Sequence, residues 1–179
     1  MSDKKEIGKS TKSIWGGEQD YDLYERSTQV PVVHSVSFGY KDIDTWHKAA
    51  LGLVDGHIYS RNTNPTVRAF EDKVKELENA EAATSFSSGM AAISNTLGTF
   101  LKSGNRIVSI KDSYGGTNVI FNEFLPPLNI DVCLCETHDE EQIKNEILKG
   151  CKILYLETPT NPTIKITNIK KLSDYAKQI

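Results

Sequence analysis

From residue 82 onward, short apolar runs alternate with stretches of helical periodicity, and this alternation restricts the fold more than any other feature of the sequence. Residues 82–86, 106–110, 130–135 and 152–156 read as strands, the last as a strand buried on both faces. Between and after them, apolar residues fall at helical spacing. Met90, Ile93, Leu97, Phe100 and Leu101 form the first such set, with Ser103-Gly104 as its C-cap. Val119, Ile120, Phe124 and Leu125 form the second, stopped by Pro126-Pro127. A charged helix starts at Asp139, turns Ile143, Ile147 and Leu148 inward and ends at Gly150. Ile169, Leu172, Tyr175 and Ala176 begin the last helix. Strand and helix in strict alternation predict an α/β domain with a mostly parallel sheet. Ligands of such sheets sit at the carboxyl ends of the strands. The loops at 87–89, 112–117 and 157–163 follow strands and are expected on one edge, although strand order is not legible.

The first loop, Ser87-Ser88-Gly89, opens a helix. Free backbone N–H groups and the helix dipole make such a start an anion site, where Gly89 allows close approach and Ser88 adds a hydroxyl. Ser88 as a plain helix cap is the simpler reading of the same residue. The stretch matches neither GxGxxG nor GxxxxGK[ST].

Upstream, residues 1 to about 30 are polar and read as an extended arm. Residues 44–54 suggest a helix. In Tyr59-Ser60-Arg61-Asn62-Thr63-Asn64-Pro65-Thr66, Asn64 is a good N-cap and Pro65 suits the first helical position. Val67, Phe70, Val74 and Leu77 then form an amphipathic stripe. Tyr59 and Arg61, two apart on the loop before this helix, can grip a phosphate together. A surface Arg beside a packed Tyr is the plainer alternative.

The 179 residues suffice for a well-buried domain, and a net charge of −3 without a basic block argues against nucleic acid or an anionic membrane as partner. No apolar run is long enough to span a bilayer, and the polar N-terminus has no secretory h-region. Cys133, Cys135 and Cys151 lack zinc-ligand spacing and read as reduced thiols of a cytoplasmic protein.

Four stretches occur in order: Tyr59-Ser60-Arg61-x-x-Asn64-Pro65-Thr66, Ser87-Ser88-Gly89-Met90-Ala91-Ala92, Asp112-x-Tyr114-Gly115-Gly116-Thr117, and Glu157-Thr158-Pro159-Thr160-Asn161-Pro162. Together they resemble the Cys/Met-metabolism family of pyridoxal-phosphate enzymes, which includes cystathionine γ-synthase, cystathionine γ-lyase, methionine γ-lyase and the acyl-homoserine sulfhydrylases. The resemblance covers roughly residues 28 to 179. It implies a fold-type I, aminotransferase-like architecture. Residues 1–58 would be the N-terminal arm and intersubunit segment, and 59–179 the first part of the cofactor domain. It implies pyridoxal 5'-phosphate as cofactor, an amino-acid substrate, and a homo-oligomer built as a dimer of dimers. Gly89 and Met90 would give backbone N–H groups to the cofactor phosphate, with Ser88 beside them. Tyr59 and Arg61 would reach the phosphate of a neighbouring subunit. Tyr114 would stack on the ring and relay protons, and Asn161 would hydrogen-bond near the ring's 3' oxygen. Glu157 would be structural.

The implied reaction is γ-replacement or γ-elimination on homoserine esters, cystathionine or related substrates. Gly116 stands where methionine γ-lyases usually carry a cysteine, which speaks against that member. The resemblance places the Schiff-base lysine, the aspartate facing the pyridine nitrogen and the arginine for the substrate carboxylate beyond residue 179. Thr11-Lys12 lies in the arm, and Lys111 has no counterpart as that lysine in the family. The last helical pattern runs to Ile179 without a stop signal, so a further strand is expected. The chain is thus expected to be a shortened form, a proteolytic product or half of a split enzyme, unable to run the cycle alone. The alternative is a non-catalytic fragment or subunit that lends a phosphate cup and an assembly surface to a complementing chain.

Overall fold

A strand that is paired on both sides and covered on both faces holds the second half of the chain together. The structure, a computed structural model, describes Ser10 and residues 27–178. It divides into two compact units, residues 1–85 and 86–179. The expected arm, with Thr11-Lys12, lies mostly outside the described residues.

The first unit contains α1 (Ile43–Ala50) and α2 (Pro65–Glu78). Asp42 caps α1 by accepting from Thr45 N at 2.7 Å. Asn64 caps α2 by accepting from Thr66 N at 2.8 Å, and its amide donates to Val33 O at 2.9 Å. Pro65 occupies the first helical position, where its missing N–H costs nothing. A short antiparallel contact joins Ser37 and Tyr59. The expected stripe of α2 forms but stays uncovered, with Phe70 59% and Leu77 77% exposed. Ala49 is the one buried apolar side chain among the described residues of this unit.

The second unit runs α3 (Gly89–Phe100), β1 (Arg106–Ile110), α4 (Gly115–Val119), β2 (Asp131–Cys135), α5 (Glu140–Leu148), β3 (Ile153–Tyr155) and α6 (Ile169–Ala176). The sheet order is β2-β1-β3, and both pairings are parallel. Alternation along the strands sends residues to two separate cores. On one face Ile107 packs with Leu97 and Leu101 and with Phe121 and Leu125 from the helix after β1. On the other, Val108, Ile110 and Cys135 pack with Ile143 and Ile147 of α5 and Leu172 of α6. The parallel α/β expectation therefore holds, as a layer of helices on each face.

Several local expectations fail for physical reasons. Residues 82–86 are extended but form no strand, because a strand exists through its ladder and no described segment pairs with them. Instead Ser85 N donates to Glu71 Oε1 at 2.7 Å. The helix α3 ends where Leu101 turns extended, so Ser103-Gly104 is a separate turn rather than its C-cap. β3 is shorter than residues 152–156 and only half-buried, since β1 flanks it on one side alone. The helix after β1 widens to π geometry over Ile120–Phe124, which buries Phe121 and leaves Phe124 62% exposed. Leu148, expected inward, is 46% exposed at the end of α5. Gly150 follows at φ +96°, a conformation open to glycine without cost.

The Phe121 ring meets Tyr155 edge-on at 5.3 Å in a fully buried position. Phe121→Ala is expected to cost about 3–5 kcal/mol in urea unfolding. Phe124→Ala, at the exposed position, should change stability by less than about 0.5 kcal/mol.

Candidate functional site

The topology makes a crevice at the carboxyl ends of β1 and β3. These strands are neighbours, yet the segment after β1 (Phe121, Leu125) packs on one face and α6 (Leu172) on the other. Their following loops must part, and ligands of open α/β sheets bind at such a switch point. The parting loops are those at 112–117 and 157–163, two of the three singled out in the sequence.

One carboxylate ties them together. Glu157 Oε2 accepts from Tyr114 N at 3.0 Å, and Oε1 accepts from Asn161 N at 3.0 Å. The Tyr114 ring remains 47% exposed and Asn161 is exposed, so both side chains stay available at the crevice.

The third loop joins through a close contact. A side chain on Gly116 would begin 2.9 Å from Met90 Sδ and 3.0 Å from Tyr114 Cε1. The start of α3 and the Tyr114 loop therefore lie against each other, with the flexible tip of Met90 filling the space beside Gly116. At that start, Ser88 Oγ accepts from Ala91 N at 3.1 Å, and Ala92 N donates to Ser88 O at 3.1 Å. The N–H groups of Gly89 and Met90 have no acceptor among the described residues. The space that a side chain on Gly89 would fill is open. Ser88 is therefore a cap, and because it caps as an acceptor its own proton remains free to donate. Cap and anion site are compatible roles of one residue.

A second carboxylate, to which no role was given from sequence, joins the same two loops as Glu157. Asp112 Oδ2 accepts from Lys165 Nζ at 2.8 Å and from Thr137 Oγ1, and Oδ1 accepts from Thr163 Oγ1 at 3.2 Å. These partners come from the loops after β2 and β3, so Asp112 links the ends of all three strands. The signal was present in the sequence: Asp112, Thr137 and Thr163 all follow strands that end on one edge. Nothing local marked Lys165. At the same edge Lys111 pairs with Glu136.

Tyr59 and Arg61 belong to the first unit. They sit in a tight turn, with Asn62 N and Thr63 N donating to Tyr59 O at 2.9 and 3.1 Å. The Arg61 guanidinium stacks 4.7 Å from the centre of the Tyr59 ring, which places the two groups side by side as expected. Cys133 and Cys135 are free thiols with sulfur atoms 3.9 Å apart under α5, and burial pushes Cys135 up to about 12. No set of metal-holding side chains and no helix long and apolar enough to cross a membrane occurs among the described residues.

A model of the family described as Cys/Met metabolism PLP-dependent enzyme matches residues 10–179. The chain belongs to this family. It is 42% identical over 121 residues to an L-methionine gamma-lyase of Fusobacterium nucleatum subsp. nucleatum, covering 68% of this chain and 31% of that protein. It is 39% identical over 144 residues to a cystathionine gamma-lyase of Bacillus subtilis, covering 80% of this chain and 38% of the other. The crystal structure of metB from Corynebacterium glutamicum superposes with a TM-score of 0.76 at 32% identity, over 96% of this chain and 43% of that one. A candidate O-acetylhomoserine (thiol)-lyase from Campylobacter jejuni, solved with N'-pyridoxyl-lysine-5'-monophosphate, gives a TM-score of 0.78 at 26% identity, over 86% of this chain and 38% of that one. The chain spans less than half the length of these family members. The fold-type I expectation holds.

The site carries a pH signature. Lys165, then Thr137, hold the Asp112 carboxyl at about 2, below its ordinary 3.8. The folded chain then binds this proton more weakly than the unfolded chain. The stabilisation is complete above about pH 4 and is lost as pH falls toward 2. Urea midpoints of the parent should drop across that window, and Asp112→Asn should flatten the drop. An equally steep profile in the variant would remove Asp112 from the account.

Proposed function

We propose that this chain supplies the phosphate cup and the ring-holding side of a pyridoxal-phosphate site in an enzyme of sulfur amino acid metabolism. The observation that carries the reading is the pair of unpartnered N–H groups of Gly89 and Met90, beside the exposed Tyr114 ring. A dianionic phosphate wants amide donors at a helix start, and the free Ser88 proton adds a third donor. Arg61, paired with Tyr59, adds the charge, reaching from a neighbouring subunit. Among the described residues, no atom outside its own helix lies within 4 Å of where a side chain on Gly89 would begin, so the approach to these N–H groups is open.

When bound, pyridoxal phosphate supplies an electron sink for charge developing at the substrate α-carbon. This chain's residues do the rest of their work by holding and moving protons. Tyr114 would stack on the cofactor ring and would carry a hydroxyl for proton transfer during elimination. Asn161 would offer its carboxamide to the ring's 3' oxygen. The substrate is a homoserine ester, cystathionine or a related amino acid, converted by γ-replacement or γ-elimination. Gly116 in place of a cysteine favours a γ-synthase, γ-lyase or sulfhydrylase over a methionine γ-lyase.

Residues 1–58 serve as arm and intersubunit segment, and residues 59–179 begin the cofactor domain. The uncovered apolar side chains Ile43, Leu51 and Leu53 beside α1, and Phe70 and Leu77 on α2, support burial against other subunits. We read the working protein as a cytoplasmic homotetramer acting as transferase or lyase, with the lysine supplied by further chain or by a complementing chain. A role as a non-catalytic subunit that lends cup and surface to a partner draws on the same uncovered face.

The visible spectrum after addition of pyridoxal phosphate, read beside the intact mass, tests this. Protein that includes the lysine should keep its absorption band through desalting; protein of 179 residues alone should lose it. A lysine-bearing protein that fails to keep the band would overturn the reading. In the complete protein, Arg61→Ala should loosen cofactor retention by about 1.5–3 kcal/mol in a dialysis assay. Tyr114→Phe should lower turnover more than cofactor affinity, since the ring still stacks; normal turnover would end the proton-transfer role.

A further inference from the structure

We propose that Glu157 is the positioning residue for the cofactor ring, setting Tyr114 and Asn161 at one separation without acting on the phosphate cup. This rests on the pyridoxal-phosphate reading above and adds a role that is separate from it. Both Glu157 carboxylate oxygens are engaged at 3.0 Å, and both donors are backbone N–H groups, of Tyr114 and of Asn161. The side chains of those two residues therefore remain free for a ligand while their backbones are fixed. The two loops have reason to separate, because the chain after β1 and the chain after β3 pack on opposite faces of the sheet. Glu157 lies two residues beyond Tyr155, the end of β3, so its own backbone is anchored to the sheet. Asp112 makes a second bridge between the same loops through Thr163 and Lys165. The Asp112 bridge does not use Glu157, so it should still join the loops when Glu157 is altered.

The cup is held by different groups. Ser88 caps α3 from within, and its contacts do not include Glu157. No hydrogen bond therefore links Glu157 to the cup, so a change at Glu157 should reach ring affinity before phosphate affinity. Glu157→Gln is the informative change. The amide keeps the shape but offers one acceptor and one donor, so one N–H loses its partner and faces another donor.

The test uses two ligands that need no lysine, pyridoxine 5'-phosphate and inorganic phosphate, titrated by calorimetry into parent, Glu157→Gln and Glu157→Asp. The same proteins without ligand are followed by amide hydrogen exchange. In Glu157→Gln, exchange should rise at Tyr114 and Asn161 but not at Gly89 and Met90. Pyridoxine phosphate should bind about tenfold more weakly, while inorganic phosphate stays within about twofold of the parent. Glu157→Asp, too short to reach both donors, should fall between. Equal losses for the two ligands, or unchanged affinity for pyridoxine phosphate, overturn the proposal. So does loss of the cooperative melt in both variants, which assigns Glu157 to folding alone. A parent that binds inorganic phosphate but not pyridoxine phosphate overturns the cofactor reading itself, and the proposal with it.

Discussion

The architecture of the second unit depends on β1 being saturated. Its backbone pairs with β2 on one side and β3 on the other, and its side chains are buried on both faces. At the amino end, Arg106 completes the arrangement. Its guanidinium donates to Asp131 and Glu146 carboxylates and to the Glu146 and Gly150 carbonyls, which closes the end of α5. A strand held this way leaves its carboxyl end as a fixed platform. Asp112 and Tyr114 follow within four residues of that end, so they inherit its rigidity.

The crevice is a consequence of chirality as much as of side chains. The chain passes from β1 to β2 through a helix on one face, then from β2 back across to β3 through α5 on the other. Parallel crossovers of one hand that move in opposite directions along a sheet must use opposite faces. The loops at the turning point therefore diverge, and the gap between them accepts a ligand. Divergent loops also need a tie, and Glu157 and Asp112 each provide one. The site thus joins two exposed side chains, Tyr114 and Asn161, to the sheet through carboxylate-to-backbone and carboxylate-to-lysine bonds.

Much of this was legible beforehand. The helix caps at Asn64, Ser88 and Asp139 were written in local chemistry, and the structure has them. The strands read at 106–110 and 130–135 stood out as short apolar runs between turn residues, and the structure pairs 106–110 and 131–135. Residues 82–86 misled because an apolar run states a propensity for extension, whereas a strand needs a neighbour that sequence does not name. The Val67, Phe70 and Leu77 stripe gave the helix but not its cover, since periodicity reports which side is apolar and not what meets it. At the candidate site, the Ser-Gly helix start and the Tyr114 loop were visible as motifs. The bridging of Glu157 to two backbone N–H groups was invisible, because its partners lie 43 and 4 residues away and are not side chains.

By itself, the sequence determined the parallel α/β alternation, the helix starts, and the family whose signatures occur at 59–66, 87–92, 112–117 and 157–162. These are local properties, settled by periodicity, capping and turn chemistry within a few residues. Only the tertiary structure decided the order β2-β1-β3, and with it the crevice between β1 and β3. It alone brought Gly116 against Met90 and placed Lys165 on Asp112. Those outcomes depend on which strands pair and which faces are covered. They are contacts between residues far apart in the chain, and no local pattern encodes the partner's identity.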